Sequence, residues 1–344
     1  MKEVTCKEYF RRTRKSLKSK LHGGNVVNAM NSRAVSIIRY SAGIVEWTKD
    51  ELRKLDGKTR KLLTINRAFH PQADVDRLYL KRAAGGRGLL SAEDCVNIEV
   101  GSLFKYIGES KERLLRFVSD ENIMEEGPTK IEVSEERMSK YKNKALHGQF
   151  GTAAEQVRDP ESWGRLKRGI LKKETEGLLT AAQYQALRTN SIKNRIDKED
   201  VSPMCRLCGE REETVSHIVA ECKKLAQREY KMWRHDKVGQ VQVIHWKFCQ
   251  KFNIPCKDKW YVHDPEGVIE NDQVKVLWDF RIQTDHQIEH NRPDVVVLDK
   301  IERSCHVIDI ACPFDTRVLE KEQEKMEKYQ ELKREIGKSG AAEN

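Results

Sequence analysis

Two spacings of apolar residues divide this chain. From Asn25 to about Phe69 they recur at helical period: Val35, Ile37, Ile38 and Ile44, then Leu52, Leu55, Leu62 and Leu63. Residues three and four apart share one helix face, so this stretch predicts helices. Thr48, with Glu51 three residues on, has the spacing of a capping box. Residues 1–23 are basic and predict a helix that ends at Gly23-Gly24. Residues 92–125 predict another, with Val100, Leu103, Phe104, Ile107, Leu114, Leu115 and Phe117 as core candidates, and Glu125 to Pro128 a break. Glu132 to Ile196 continues helical, with Trp163, Leu166, Ile170 and Leu171 on one face. Residues 224–252 also read as helical, with Tyr230, Trp233, Trp246, Phe248 and Phe252 as packing residues. Asp74 to Leu90 alternates instead, then turns at Gly85-Gly86 and Gly88, which predicts a short strand and a glycine turn. Lys81, Arg82 and Arg87 flank that turn, so it is either a phosphate-approaching loop or an ordinary turn.

Toward the C-terminus the period becomes two. Val274 to Thr284 alternates around Val276, Trp278, Phe280 and Ile282 and predicts a strand, after a loop, HDPEGVIEN. Val295 to Leu298 and Val307 to Ile310 are β-rich runs joined by a polar loop, which predicts an antiparallel hairpin. If Leu298 pairs with Cys305, Asp294 lies opposite Asp309. Opposed residues share a face, with Cα atoms roughly 4.5–5.5 Å apart. Two carboxylates that close repel unless positive charge lies between them. A hard divalent cation, Mg²⁺ above all, suits such oxygen ligands. The alternative is two solvated carboxylates on an exposed hairpin face. After Pro313, with Asp315 or Thr316 as N-cap, Leu319 to Ile336 predicts a charged helix. Met326, Tyr329, Leu332 and Ile336 form its apolar stripe, and Lys321, Lys325 and Lys328 share one face.

Charge changes the picture at the other end. The chain carries a net +10, and residues 1–60 hold 15 Lys plus Arg against 6 Asp plus Glu. The block around Arg11, Arg12, Arg14 and Lys15 contains no acid and predicts either a phosphate-contacting surface or a solvated arm. Lys167, Arg168, Lys172 and Lys173 are further candidates to track a nucleic-acid backbone. No apolar run approaches the ~18 residues of a membrane span. The basic N-terminus has no signal core, which predicts an intracellular, nuclear protein. Nine cysteines without a signal peptide point to thiols or metal binding, not disulfides.

The most specific chemical pattern is Cys205-x2-Cys208-x8-His217-x4-Cys222. Two Cys separated by two residues wrap a turn around one ion, and Gly209 relaxes that turn. Four N and S ligands close a tetrahedral Zn²⁺ shell, which predicts a structural site. The bland alternative is a chance cluster of core thiols. Arg206 and Arg211 beside the cluster suit phosphate contact. Cys249 and Cys256 complete no second set of four and read as core or surface thiols.

Arg292-Pro293-Asp294, fourteen residues, then Asp309 at the end of an apolar run resembles the PD-(D/E)xK nuclease signature. More narrowly, it resembles the restriction-like endonuclease at the C-terminus of site-specific non-LTR retrotransposon polyproteins. Ala311 stands where the simple pattern has Lys. The retrotransposon subgroup takes its Lys from the following helix, a role the resemblance gives to Lys325 or Lys328. Asp285 and Glu289 rank below the two main acids as added ligands. The Cys–His cluster resembles the CCHC knuckle before that nuclease. IRYSAGIVEWTKDELRKLDGKTRKLLT and HPQADVDRLYLKRAAGGRGLL are similar to the thumb and post-thumb that follow a reverse transcriptase palm. Polymerases need paired carboxylates for two metals, and the chain has no adjacent Asp pair, so it is expected to be part of a larger polyprotein or a gene derived from one.

The expected fold class is α+β, mostly helical. Its expected parts are a thumb-like basic helical region at 1–125, a helical linker at 126–200, a zinc knuckle at 201–228 and a restriction-like endonuclease domain at 229–344. The resemblance implies Mg²⁺-dependent nicking of a DNA target by Asp294 and Asp309, with element RNA as a further partner. Arg292 joins Arg11, Arg12, Arg14, Lys15, Arg206 and Arg211 as expected nucleic-acid contacts. The competing reading is a zinc protein that binds nucleic acid without cutting it, or an inactive retroelement fragment.

Overall fold

The computed structural model describes residues 1–115, 127–157, 163–226, 229–230, 241–284 and 286–342. The chain divides into two compact units, Met1–Arg188 and Thr189–Asn344. Helices dominate, and the described residues contain one four-stranded antiparallel sheet, so the class is α+β and mostly helical. The border between the units falls inside the stretch expected as a helical linker.

In the first unit, Thr48 caps the helix Lys49–Ile65 as expected: its side chain accepts from the Glu51 amide, and the Glu51 carboxylate accepts from the Thr48 amide. One apolar cluster gathers Tyr9, Val35, Ile38, Leu52 and Leu55. A second gathers Leu17, Met30, Leu63, Leu78, Tyr141 and Tyr184. Gly23-Gly24 does not end the first helix, which stops at Lys18. The two glycines open the next helix, Gly23–Met30, because the chain passes too close there for a side chain. A Cβ on Gly24 would lie 2.9 Å from the Gly169 Cα, and one on Gly23 would lie 2.8 Å from Glu176 Oε2.

The Asp74–Leu90 stretch corrects the expectation of a strand. Asp74 accepts from the Arg77 amide at 2.8 Å and caps a short helix, Val75–Tyr79. The cap satisfies an amide left open at a helix start, and that local gain overrides the alternating pattern. The glycine turn is a packing device. Arg82 and Arg87, expected to flank a phosphate-approaching loop, both turn inward to the buried carboxylate of Glu176. Arg77 is fully buried, with its guanidinium 4.8 Å from the Tyr184 ring centre and 5.1 Å from that of Phe150. Trp163 and Tyr141 complete the cage at 5.4 and 5.6 Å.

The helix Ala92–Glu109 forms, but Leu103 and Leu114 are exposed rather than core. Ile170, placed with Trp163 and Leu166 on a packing face, is exposed as well. Phe117, Trp233, Asp285 and the Glu125 end of the expected break lie outside the described residues.

The sheet belongs to the second unit. Its strands are β1 (Val268–Glu270), β2 (Val274–Trp278), β3 (Val295–Asp299) and β4 (Ser304–Ile308), in that order. Strand β1 lies within the stretch expected to be a loop, and β2 stops at Trp278, short of Thr284. Alternation sends Val274, Val276, Val295 and Val297 to one face, where they meet Cys249 and Ile254, with Phe248 and Phe252 alongside. Asp294 and Val296 fall on the other face.

Replacing Glu176 with Ala leaves two guanidinium groups facing each other without their shared carboxylate. Removing one partner of a buried ion pair costs about 3–5 kcal/mol. Denaturant unfolding of Glu176→Ala should therefore show a first unit weakened on that scale. A cost under ~1 kcal/mol would mean that the ion cluster is not a structural linchpin.

Candidate functional site

The hairpin adopts the register read from its alternation: Leu298 pairs with Cys305 and Val295 with Ile308. Extending it by one step sets Asp294 against Asp309 at the mouth of the two strands. The strand end is not a regular ladder, because the Ile310 amide donates to Asp294 Oδ2 at 2.6 Å. The Asp294 backbone carbonyl accepts from the Asp279 amide at 2.9 Å and continues the pairing toward β2. Asp294 is thus fixed by the strands on either side.

Asp309 is held differently. Its side chain is 8% exposed and forms an ion pair with the Lys325 ammonium through Oδ2. Its Oδ1 accepts from the Tyr329 hydroxyl at 3.0 Å. Lys328 donates to that same hydroxyl at 2.8 Å. The structure therefore brings Asp309, Lys325 and Lys328 together around Tyr329, with Asp294 across the hairpin. Tyr329 was expected only as part of an apolar stripe. Burial pushes its hydroxyl well above the ordinary tyrosine range, and the adjacent Asp309 and Asp294 charges push it further. It stays protonated and donates to the carboxylate.

The expected Leu319–Ile336 helix is two helices, with Tyr329 between them. Val318–Lys328 ends at Tyr329, and Gln330–Ala342 follows. Arg317, not Asp315 or Thr316, sits at the N-cap, and no side chain caps the turn. Met326, assigned to the apolar stripe, is 60% exposed. Lys321 pairs with Glu324 on the surface. Ala311 is exposed, and Glu289 is exposed as well. Among the described residues no third His, Cys, Asp or Glu joins the Asp294–Asp309 pair.

The Cys–His cluster assembles as its spacing requires. One ligand atom each of Cys205, Cys208, His217 and Cys222 lies within 4.8 Å of every other, so the four side chains can hold a metal ion. Cys208 Sγ and His217 Nε2 are 3.3 Å apart. The turn between the first two cysteines is closed by the Gly209 amide bonding the Cys205 carbonyl at 2.8 Å, with Gly209 at φ 69°. The Leu207 amide points at Cys205 Sγ at 3.4 Å. Amides of Glu210 and Arg211, together with His217, draw the Cys208 thiol down to about 6, toward the thiolate a metal binds. A π-helical turn, His217–Glu221, begins at one of the last two ligands and is followed directly by the other, Cys222, and the Tyr230 hydroxyl donates to the Ile218 carbonyl at 2.6 Å behind it.

Several expected nucleic-acid contacts have internal partners. Arg206 bonds the fully buried Glu213 carboxylate, and Arg211 reaches Glu221 at 3.3 Å. Arg11 and Arg12 both bond Glu8. Arg14 lies over the Phe10 ring, Lys15 is exposed, and Arg292 pairs with Asp279 at 2.8 Å. Among the described residues no helix is long and apolar enough to cross a membrane, and no disulfide joins any of the nine cysteines.

Glu213 supplies the pH test of this region. Burial alone would raise its carboxyl, but bonds from the Arg206 side chain and amide and from the Asn190 amide bring it down to about 2. A depressed carboxyl contributes stability above its unfolded value, roughly 4.3, and loses it as pH falls toward the folded value. Unfolding of the wild type should thus grow easier from about pH 5 downward. Glu213→Gln should lack that part of the pH dependence, and parallel curves for the two proteins would refute the assignment.

No protein-family model matches this sequence, and no curated protein matches it.

Proposed function

We propose that this chain carries a Mg²⁺-dependent DNA endonuclease of the retrotransposon restriction-like type, with a CCHC zinc knuckle beside it. The observation that carries the reading is the convergence of Asp294, Asp309, Lys325 and Tyr329 at one end of the hairpin. Two aspartates on neighbouring strands, with a lysine from the next helix, are what the sequence resemblance implies. The alternative of two freely solvated carboxylates fits poorly, because Asp309 is nearly buried and holds two donors.

The donor set suits a hard divalent cation: oxygen ligands only, presented from rigid strands. Asp294 and Asp309 would hold Mg²⁺, which supplies Lewis acidity and a more acidic bound water. The Lys325 ammonium keeps positive charge beside the carboxylates and stabilises the negative charge that develops on the phosphate. Tyr329 holds the Asp309 carboxylate in one orientation, so it is a positioning residue. The reaction adds water to phosphorus and breaks one P–O bond of the DNA backbone. For the knuckle, three thiolates and one imidazole select Zn²⁺. The exposed cations Arg14 and Lys15 then serve the duplex or the element RNA as salt-sensitive phosphate contacts.

Nicking of supercoiled plasmid by the full chain with Mg²⁺, and its loss in EDTA, tests the reading. Asp309→Ala and Asp294→Ala should each lower the rate by at least ~100-fold, and Lys325→Ala by ~100–1000-fold. Tyr329→Phe keeps the ring but removes the hydroxyl, and should cost ~10–100-fold. Its defect should appear in the Mg²⁺ concentration needed, which a purely structural role would leave alone. Metal-dependent cleavage that survives Asp309→Ala would eliminate this site. Salt-dependent DNA binding with no cleavage at all would favour the non-catalytic binding protein.

A further inference from the structure

The sheet of the second unit has a second cluster of metal-ligating side chains, on the face opposite Asp294. His245 and Cys249 stand one turn apart on the helix Val241–Lys251, and both are buried. His263, also buried, comes from the chain that follows a short 3₁₀ turn, Trp260–Val262. One ligand atom of each residue lies within 4.8 Å of the other two. His245 Nδ1 is 2.8 Å from His263 Nε2, and Cys249 Sγ is 3.6 Å from the same Nδ1. An N–H···N hydrogen bond accounts for two imidazoles, but it does not require a thiol aimed at the same point. The separations lie on either side of the 3.3 Å between Cys208 and His217 in the other cluster. Cys256, partly buried in the same apolar cluster, lies on the segment that joins Cys249 to His263.

We infer that His245, Cys249, Cys256 and His263 form a second structural zinc site, with the spacing His-x3-Cys-x6-Cys-x6-His. Two imidazoles and two thiolates are a tetrahedral set for a borderline-soft divalent ion. Three members already converge, and Cys256, beside them but outside that group, would swing in to close the shell. The ion would tie the helix Val241–Lys251 to the segment that leads into β1. It would do so against Trp278 of β2, whose ring meets the His245 ring edge-on at 5.3 Å. The need is physical. The core on this face consists of Cys249, Ile254 and four valines, and small cores are commonly supplemented by a metal. The inference does not depend on the nuclease reading, because a structural ion here would serve any use of the opposite face.

Elemental analysis of the purified full chain decides it. Two zinc ions per chain are expected. Cys208→Ser should leave one, and His263→Ala in otherwise unchanged protein should also leave one. The cobalt-substituted Cys208→Ser chain should retain thiolate-to-cobalt absorption, which reports the remaining site without a second mutation. Cys256→Ser should weaken zinc retention at that site by tenfold or more. One zinc per chain in the wild type, removed by Cys208→Ser with no cobalt–thiolate signal left, would overturn the proposal. The cluster would then be a hydrogen-bonded histidine pair beside a core thiol.

Discussion

Like charges at the ends of two adjacent strands set the terms for the second unit. Asp294 and Asp309 meet because the β3–β4 register allows no other arrangement of the valines around them. A shift by one residue would send Val295 and Val297 to the face away from Phe248 and Cys249 and separate the acids in the same step. Apolar burial thus holds two carboxylates where electrostatics alone would push them apart. The strain is met locally: an amide on Asp294, and an ammonium and a phenol on Asp309. Tyr329, between two helices, stays buried in the apolar stripe with Leu332 and still reaches Asp309 with its hydroxyl.

The first unit solves a different problem, that of burying arginine. Arg87 and Arg77 are among its largest fully buried side chains. Arg87 shares the Glu176 carboxylate with Arg82, and Arg77 is enclosed by four aromatic rings. Both arrangements draw on distant segments, so they also join the turn near Gly85 to the chain around Gly169 and Glu176. The close approach at Gly23-Gly24 belongs to the same junction.

The hairpin register and the Cys–His cluster were legible because each rests on local spacing: a two-residue period in one case, a four-ligand pattern in the other. The Thr48 cap was legible for the same reason. What failed were elements decided by competition or distance. The alternation of DVDRLYL was outweighed by the Asp74 cap. Strand β1, three residues long, has too little sequence to show a period. The role of Tyr329 depends on a contact with Asp309, twenty residues away, that no local spacing announces. His245 shares a helix with Cys249, but His263 lies beyond it on another segment, so local spacing alone does not reveal the cluster. Only the packing of the helix Val241–Lys251 against the sheet does that.

The way Lys325 and Tyr329 reach Asp309 has a mechanical consequence. No residue of the helix Val318–Lys328 is fully buried, whereas Gln330–Ala342 seats Leu332 in the interior. One segment is anchored by packing and the other is held largely by polar contacts. Attraction of that kind weakens as counterions screen it, whereas apolar burial does not. Salt therefore loosens the exposed pairs along Val318–Lys328, such as Lys321 with Glu324, more than the nearly buried contact of Lys325 with Asp309, so the two helices answer to ionic strength unequally.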